Sequence, residues 1–167
     1  MKKLRDRESG FTIVELLIVL VVIGILTLLV VSTYSGIQAK SRNTTRQHRL
    51  ENLQSQIEAF YSQNGYYPNL TDLNSPSWRT TNMKNLNQVN LVDPSSNCDP
   101  SKQSCLGGSP SGIPKQFQYY ATQSDGVTSC NGKLNGGADQ NCAQYTLTAT
   151  YEGTVNGSKY DVLKNLD

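Results

Sequence analysis

Glu15 is the one ionisable side chain in an apolar run that starts at Phe11 and reaches Val31, and Gly10 stands immediately before that run. An acid at mid-membrane depth costs about 2.5–3.5 kcal/mol on insertion scales. A position near the leaflet edge reduces this cost without removing it, so Glu15 calls for a cation. No Lys or Arg lies between Arg7 and Lys40. A cut after Gly10 would supply the charge as a new amine on Phe11, four residues and about 6 Å of helix from Glu15. An ordinary secretory signal is cut after its apolar region, which is then discarded. Here the small residue precedes the run, so cleavage after Gly10 would keep the apolar segment as the mature N-terminus.

The remaining reactive side chains are few. Four cysteines all lie beyond residue 97, spaced as Cys98-x6-Cys105 and Cys130-x11-Cys142. Neither spacing is that of a zinc site or a CxxC redox motif, and disulfides in an oxidising compartment are expected. Of the three possible pairings the two local ones are favoured, because short loops rich in Gly, Asn and Ser close readily. The sole histidine, His48, sits among bases in a polar helical stretch, where a solvent-facing role is expected rather than a catalytic one. Asp72, Asp93, Asp99, Asp125, Asp139, Glu152, Asp161 and Asp167 form no obvious acid/base pair, and no HExxH, GxSxG or phosphate-binding loop occurs. The chain is therefore expected not to be an enzyme, with no catalytic residue, no metal and no cofactor. The segment Asn131 to Asn141 is rich in oxygen ligands but lacks the alternating acids and terminal Glu of a calcium loop. Lys40, Arg42, Arg46 and Arg49 are expected on a solvated or subunit-facing helix surface. Asn43, Asn69 and Asn156 stand in glycosylation sequons that chance explains in so Asn- and Thr-rich a chain.

Positioning these residues requires a long helix and a small head. Ile13 to Val31 suffices for one membrane span of roughly 30 Å. Gly36 to Arg49 offers little that is apolar besides Ile37 and Ala39, and is expected to lie outside any monomer core. From Leu50 the pattern turns amphipathic, with Leu50, Leu53, Ile57, Phe60 and Tyr61 at helical spacing. Asn64-Gly65 supplies a stop, with Pro68 beyond. One helix from about Phe11 to Gln63 would run about 80 Å, so its N-terminal half must be covered by lipid or by other copies of itself. Residues 69–115 read as loop-rich, with Trp78 expected against the helix. The last third reads as antiparallel sheet: Phe117, Tyr119 and Ala121 alternate with polar neighbours, as do Tyr145, Leu147, Ala149 and Tyr151. Asn156-Gly157 favours a type I′ hairpin, in whose simplest register Tyr151 faces Val162, Leu147 faces Leu166 and Glu152 faces Asp161.

Totals fit one small domain plus an appendage. Hydrophobic residues make up 37% of 167, but much of that is spent before Val31, leaving a modest soluble core. Taking the four bases and two acids of residues 1–10 from fifteen and thirteen leaves eleven of each. A neutral mature chain speaks against a broad electrostatic grip on nucleic acid.

Gly10-Phe11-Thr-Ile-Val-Glu15 and the apolar run through Gly24 and Tyr34 resemble the class III signal of type IV prepilins and pseudopilins, with glycine, phenylalanine and glutamate all at that family's spacing. Asn64-Gly-Tyr-Tyr-Pro68 is similar to the helix-to-head transition of the same family. The resemblance implies a leader at 1–10, a membrane-spanning and filament-core helix at 11–35, its continuation at 36–64 and a globular head at 65–167. It implies an α+β fold in which the second half of the long helix packs on a small antiparallel sheet of three or four strands. It further implies cleavage between Gly10 and Phe11, N-methylation of Phe11, and pairing of Glu15 with the Phe11 amine of an adjacent subunit. The implied partners are other copies in a helical filament, a prepilin peptidase, an assembly platform with its ATPases, and membrane lipid before assembly. The leader's bases favour a cytoplasmic N-terminus, and the peptidase of this family acts at that face. The head would lie outside the cytoplasm and end in a surface pilus. The family commonly has a proline near the end of the apolar run, where this chain has Ser32.

The leading expectation is thus a pilus subunit serving adhesion, twitching motility or DNA uptake. A type II secretion pseudopilin is the near alternative, and a minor tip pilin whose head binds a ligand is an alternative of another class.

Overall fold

The structure, a computed structural model, describes residues 10–130 and 142–166. It divides into two compact units, one ending at Gln38 and the other starting at Ala39. The fold is α+β: a long N-terminal helix followed by a three-stranded antiparallel sheet, the layout of a pilin.

Helix α1 runs from Ile13 to Asn64 without interruption at Gly24 or Gly36. In the first unit its apolar side chains have no cover, with Leu16, Leu20 and Leu28 exposed by 57, 60 and 75%. The hydroxyls of Thr27 and Thr33 donate to the carbonyls of Ile23 and Leu29, four residues back. This satisfies both within the helix, so neither presents an unpaired donor to an apolar surrounding.

The second unit is built on the later turns of α1. Leu50, Leu53 and Ile57 are fully buried and Phe60 nearly so, at the spacing of one helix face. Gly65 ends the helix with φ +75°, a conformation that favours glycine, and its N–H reaches the Tyr61 carbonyl at 2.7 Å. Tyr61 departs from the expected core stripe. It is 39% exposed and stacks on buried Tyr67 with ring centroids 4.3 Å apart. Two short helices follow, α2 (Leu70–Asn74) and α3 (Pro76–Asn82), the first held by an Asn69/Asp72 capping box. Trp78 of α3 lies 5.2 Å from Phe60, ring centre to ring centre, so the tryptophan does meet the helix.

Strands β1 (Gln118–Thr122), β2 (Gln144–Val155) and β3 (Ser158–Lys164) pair in that order. Phe117, Tyr119, Tyr145, Leu147 and Ala149 turn inward onto the α1 residues as one core. The simple hairpin register is overturned. Val155 pairs with Ser158 around the Asn156-Gly157 turn, but the register then shifts, and Thr150 pairs with Tyr160 and Thr148 with Val162. Gly153, at φ +78°, lies in the irregular stretch between. An odd shift exchanges the two faces, so Leu163 instead of Val162 packs on the core, and Lys164 pairs with Thr146 on the outer side. Glu152 no longer faces Asp161, which pairs with Ala149.

Cys98 is bonded to Cys105 and Cys130 to Cys142, with Cα separations of 5.7 and 5.2 Å. Loops this short are each worth about 2–3 kcal/mol through restriction of the unfolded chain. The Asn131–Asn141 segment considered for calcium, and Asp139 within it, lie outside the described residues, as do Asp167 and the leader bases Lys2, Lys3, Arg5 and Arg7.

Candidate functional site

Thr12 and Glu15 build the start of α1. The Thr12 N–H and hydroxyl both donate to Glu15 Oε2, at 2.9 and 2.7 Å, and the Glu15 N–H returns a bond to Thr12 Oγ1 at 3.3 Å. This is a capping box, with threonine at the N-cap and glutamate at the third helical position. It holds the carboxylate over the positive end of the helix and leaves Oε1 without a partner among the described residues. Gly10 has no atom within 4 Å of where a side chain would begin, and Phe11 is 83% exposed. Among the described residues Gly10 and Phe11 are thus exposed, with an oriented carboxylate one helical turn away. Beyond it, α1 contains a stretch long and apolar enough to cross a membrane by length and composition.

Residues 5–31 carry the prokaryotic N-terminal methylation motif. This is the class III signal of type IV pilins, and it spans Gly10, Phe11 and Glu15 together with most of the exposed apolar run. No curated protein and no solved structure matches the chain. The methylation motif supports a type IV pilin-like or pseudopilin secreted protein. With the apolar helix, it fits a membrane-anchored precursor that pilus machinery processes and assembles.

In the head of this pilin-like chain the basic helical stretch behaves unlike its sequence reading. Arg46 is 1% exposed and Asn43 5%, so Gly36 to Arg49 does contribute to the monomer core. Arg46 makes two bonds to Asp93, at 2.7 and 3.1 Å, and reaches Ser95 and Glu152 Oε1, both at 2.9 Å. Its remaining amine donates to Asn43 Oδ1 at 2.7 Å. Arg42 grips Glu152 through two further bonds. Asn43 pairs with the Glu152 backbone in both directions, accepting its N–H at 2.9 Å and donating to its carbonyl at 3.1 Å. A buried charge survives only when paired and hydrogen-bonded, and this cluster satisfies both conditions. The Arg42 guanidinium, with Arg46 and Ser95, holds the Glu152 carboxyl down at about 2 against the opposing effect of burial. Arg49 donates to the Val92 carbonyl, so three of the four bases expected on a solvated or subunit-facing surface bond within the head, and Lys40 is the exposed one.

His48 is 70% exposed and stands 3.5 Å from Glu51, away from any nucleophile. Glu58 accepts from the hydroxyls of Tyr67 and Tyr145 and from the Leu166 N–H, which anchors the C-terminal strand to α1. Of the sequon asparagines, Asn43 is buried in the cluster and Asn69 caps α2, while Asn156 lies in the exposed turn.

Two groups of residues escaped the sequence reading. The Thr12-x-x-Glu15 spacing is a capping-box signature that is local in the sequence. The Arg46, Asp93 and Glu152 cluster had no local signal, because its members are 47 and 106 residues apart.

Proposed function

We propose that this chain is a structural subunit of a type IV pilus. It is cleaved after Gly10, N-methylated on Phe11 and polymerised through α1. Residues 1–10 are the leader, 11–35 the span that becomes filament core, 36–64 the continuing helix and 65–167 the head. Before assembly the span holds the subunit in the membrane with the head outside the cytoplasm. Afterwards the same apolar surface is covered by sister helices in a surface filament whose extension and retraction serve adhesion, twitching motility or DNA uptake. The partners are copies of itself, a prepilin peptidase and an assembly platform with its ATPases.

The observation that supports this reading is the methylation motif placed on an uncovered apolar run of α1 whose single acid is held at the exposed end. Two unit charges about 4 Å apart attract by about 4 kcal/mol at an effective dielectric of about 20. That offsets the about 2.5–3.5 kcal/mol cost of the acid at membrane depth, so Glu15 is far better placed beside a neighbour's Phe11 amine than left unpaired.

Glu15→Gln tests the reading cleanly, because glutamine also serves at the third position of a capping box. Helix content and membrane insertion are expected to stay unchanged while filament yield falls by about tenfold or more, equivalent to about 1.4 kcal/mol or more per added subunit. Normal yield and length in this variant would remove the charge pairing from the account.

A further inference from the structure

Where the last turns of α1 meet the segment from Thr81 to Asn90, the head carries an open groove with a distinctive lining. One lobe, of about 370 Å³, is edged by Gln56, Gln63, Asn82 and Asn85 over a floor of Phe60 and Met83. The adjoining lobe, of about 280 Å³, shares Gln56 and Asn85 and adds Asn52, Asn87 and Asn90. Seven carboxamides thus face one trough, no carboxylate lines it, and Lys84 is its one charged residue.

We propose that this groove binds a neutral oligosaccharide, one sugar ring in each lobe. A carboxamide offers donors and acceptors together, which is what a sugar hydroxyl also offers, and neither partner loses a charge to desolvation. Phe60 and Met83 are 4 and 6% exposed, so they give the groove a narrow apolar base that packing holds fixed. The rim is held in place from behind. Asn82 donates to the Trp78 carbonyl at 2.9 Å, Asn87 accepts the Val89 N–H at 3.1 Å, and the Leu86 N–H bonds to the Met83 carbonyl at 2.9 Å. Asn82 keeps its carbonyl oxygen and Asn87 its amino group for a ligand. The side-chain amides of Gln56, Gln63 and Asn85, which also line the groove, make no hydrogen bond among the described residues. A larger cavity of about 580 Å³ beside Arg42, Lys115 and Glu152 is a weaker candidate, since Arg42 and Arg46 are already occupied by Glu152 and Asp93. Sugar binding by the groove does not depend on polymerisation.

The test uses the full chain in a detergent without a sugar headgroup, titrated with chitotriose, maltotriose and cellotriose, with a trimer of hexuronic acid as the charged control. At least one neutral trisaccharide is expected to bind saturably. A Gln56→Leu, Asn85→Leu double variant is expected to weaken that binding by about tenfold or more with an unchanged melting curve, while Lys115→Ala leaves it intact. The proposal is overturned if no neutral trisaccharide saturates, if the double variant binds as well as the parent, or if the acidic trimer binds more tightly. Hydrogen-exchange protection of Asn85 that appears in sugar-free filaments and is absent from the unassembled chain would also overturn it, by assigning the groove to a second copy.

Discussion

Arg46 and Asp93 show how a polar residue becomes core. Both side chains are 1% exposed, and every donor of the guanidinium that reaches inward finds an acceptor. Removing one partner of such a pair leaves an uncompensated buried charge, which costs about 3–5 kcal/mol. Asp93→Asn is therefore expected to lower unfolding free energy by about 3 kcal/mol in a urea titration, whereas Lys159→Gln on the surface should change it by less than about 0.5 kcal/mol. Glu152 adds a pH dependence of defined sign. Its folded value of about 2 lies below the ordinary 4.5, so its contribution is complete above the ordinary value and is lost as pH falls through about 2. The urea midpoint should fall over that window, and Glu152→Gln should flatten part of the fall. An unchanged slope in the variant would mean that the carboxylate does not hold the cluster together. None of this was legible in the sequence, because a run of bases on a helix reads the same whether its acids are absent or a hundred residues away. The Thr12–Glu15 capping box differs in this respect, since its partners are three residues apart and a local pattern can disclose them.

At the level of elements, periodicity carried the reading where neighbours in sequence decide the structure. The Leu50, Leu53, Ile57 stripe, the Asn64-Gly65 stop and the alternation in β1 and β2 all depend on local spacing, and all are present. The β2–β3 register failed because one irregularity between Thr150 and Val155 outweighs the turn in deciding which face each residue takes. The turn itself formed as expected, with Asn156 and Gly157 at φ 49° and 81°. What the turn dipeptide could not reveal is that Glu152 is drawn back to Asn43, Arg42 and Arg46, which leaves Gly153 to absorb the mismatch in a left-handed conformation. Gly153→Ala is expected to destabilise the head by about 1 kcal/mol, with the loss in hydrogen-exchange protection confined to the β2–β3 end. A neutral or stabilising result would show that the irregularity tolerates an ordinary residue.

For the whole molecule, the division of labour follows from what each unit leaves unsatisfied. The second unit closes its own core around α1, three strands and two disulfides. The first unit leaves side chains from Phe11 to Val31 about half or more exposed, which is stable only within lipid or among sister helices. The methylation motif says which end is processed, and the capping box says how its acid is presented. The most direct measurement is the intact mass of protein sheared from the cell surface as filaments. The account predicts the mass of residues 11–167 with one added N-terminal methyl group and both disulfides formed. Filaments built from a chain that still begins at Met1 would contradict it.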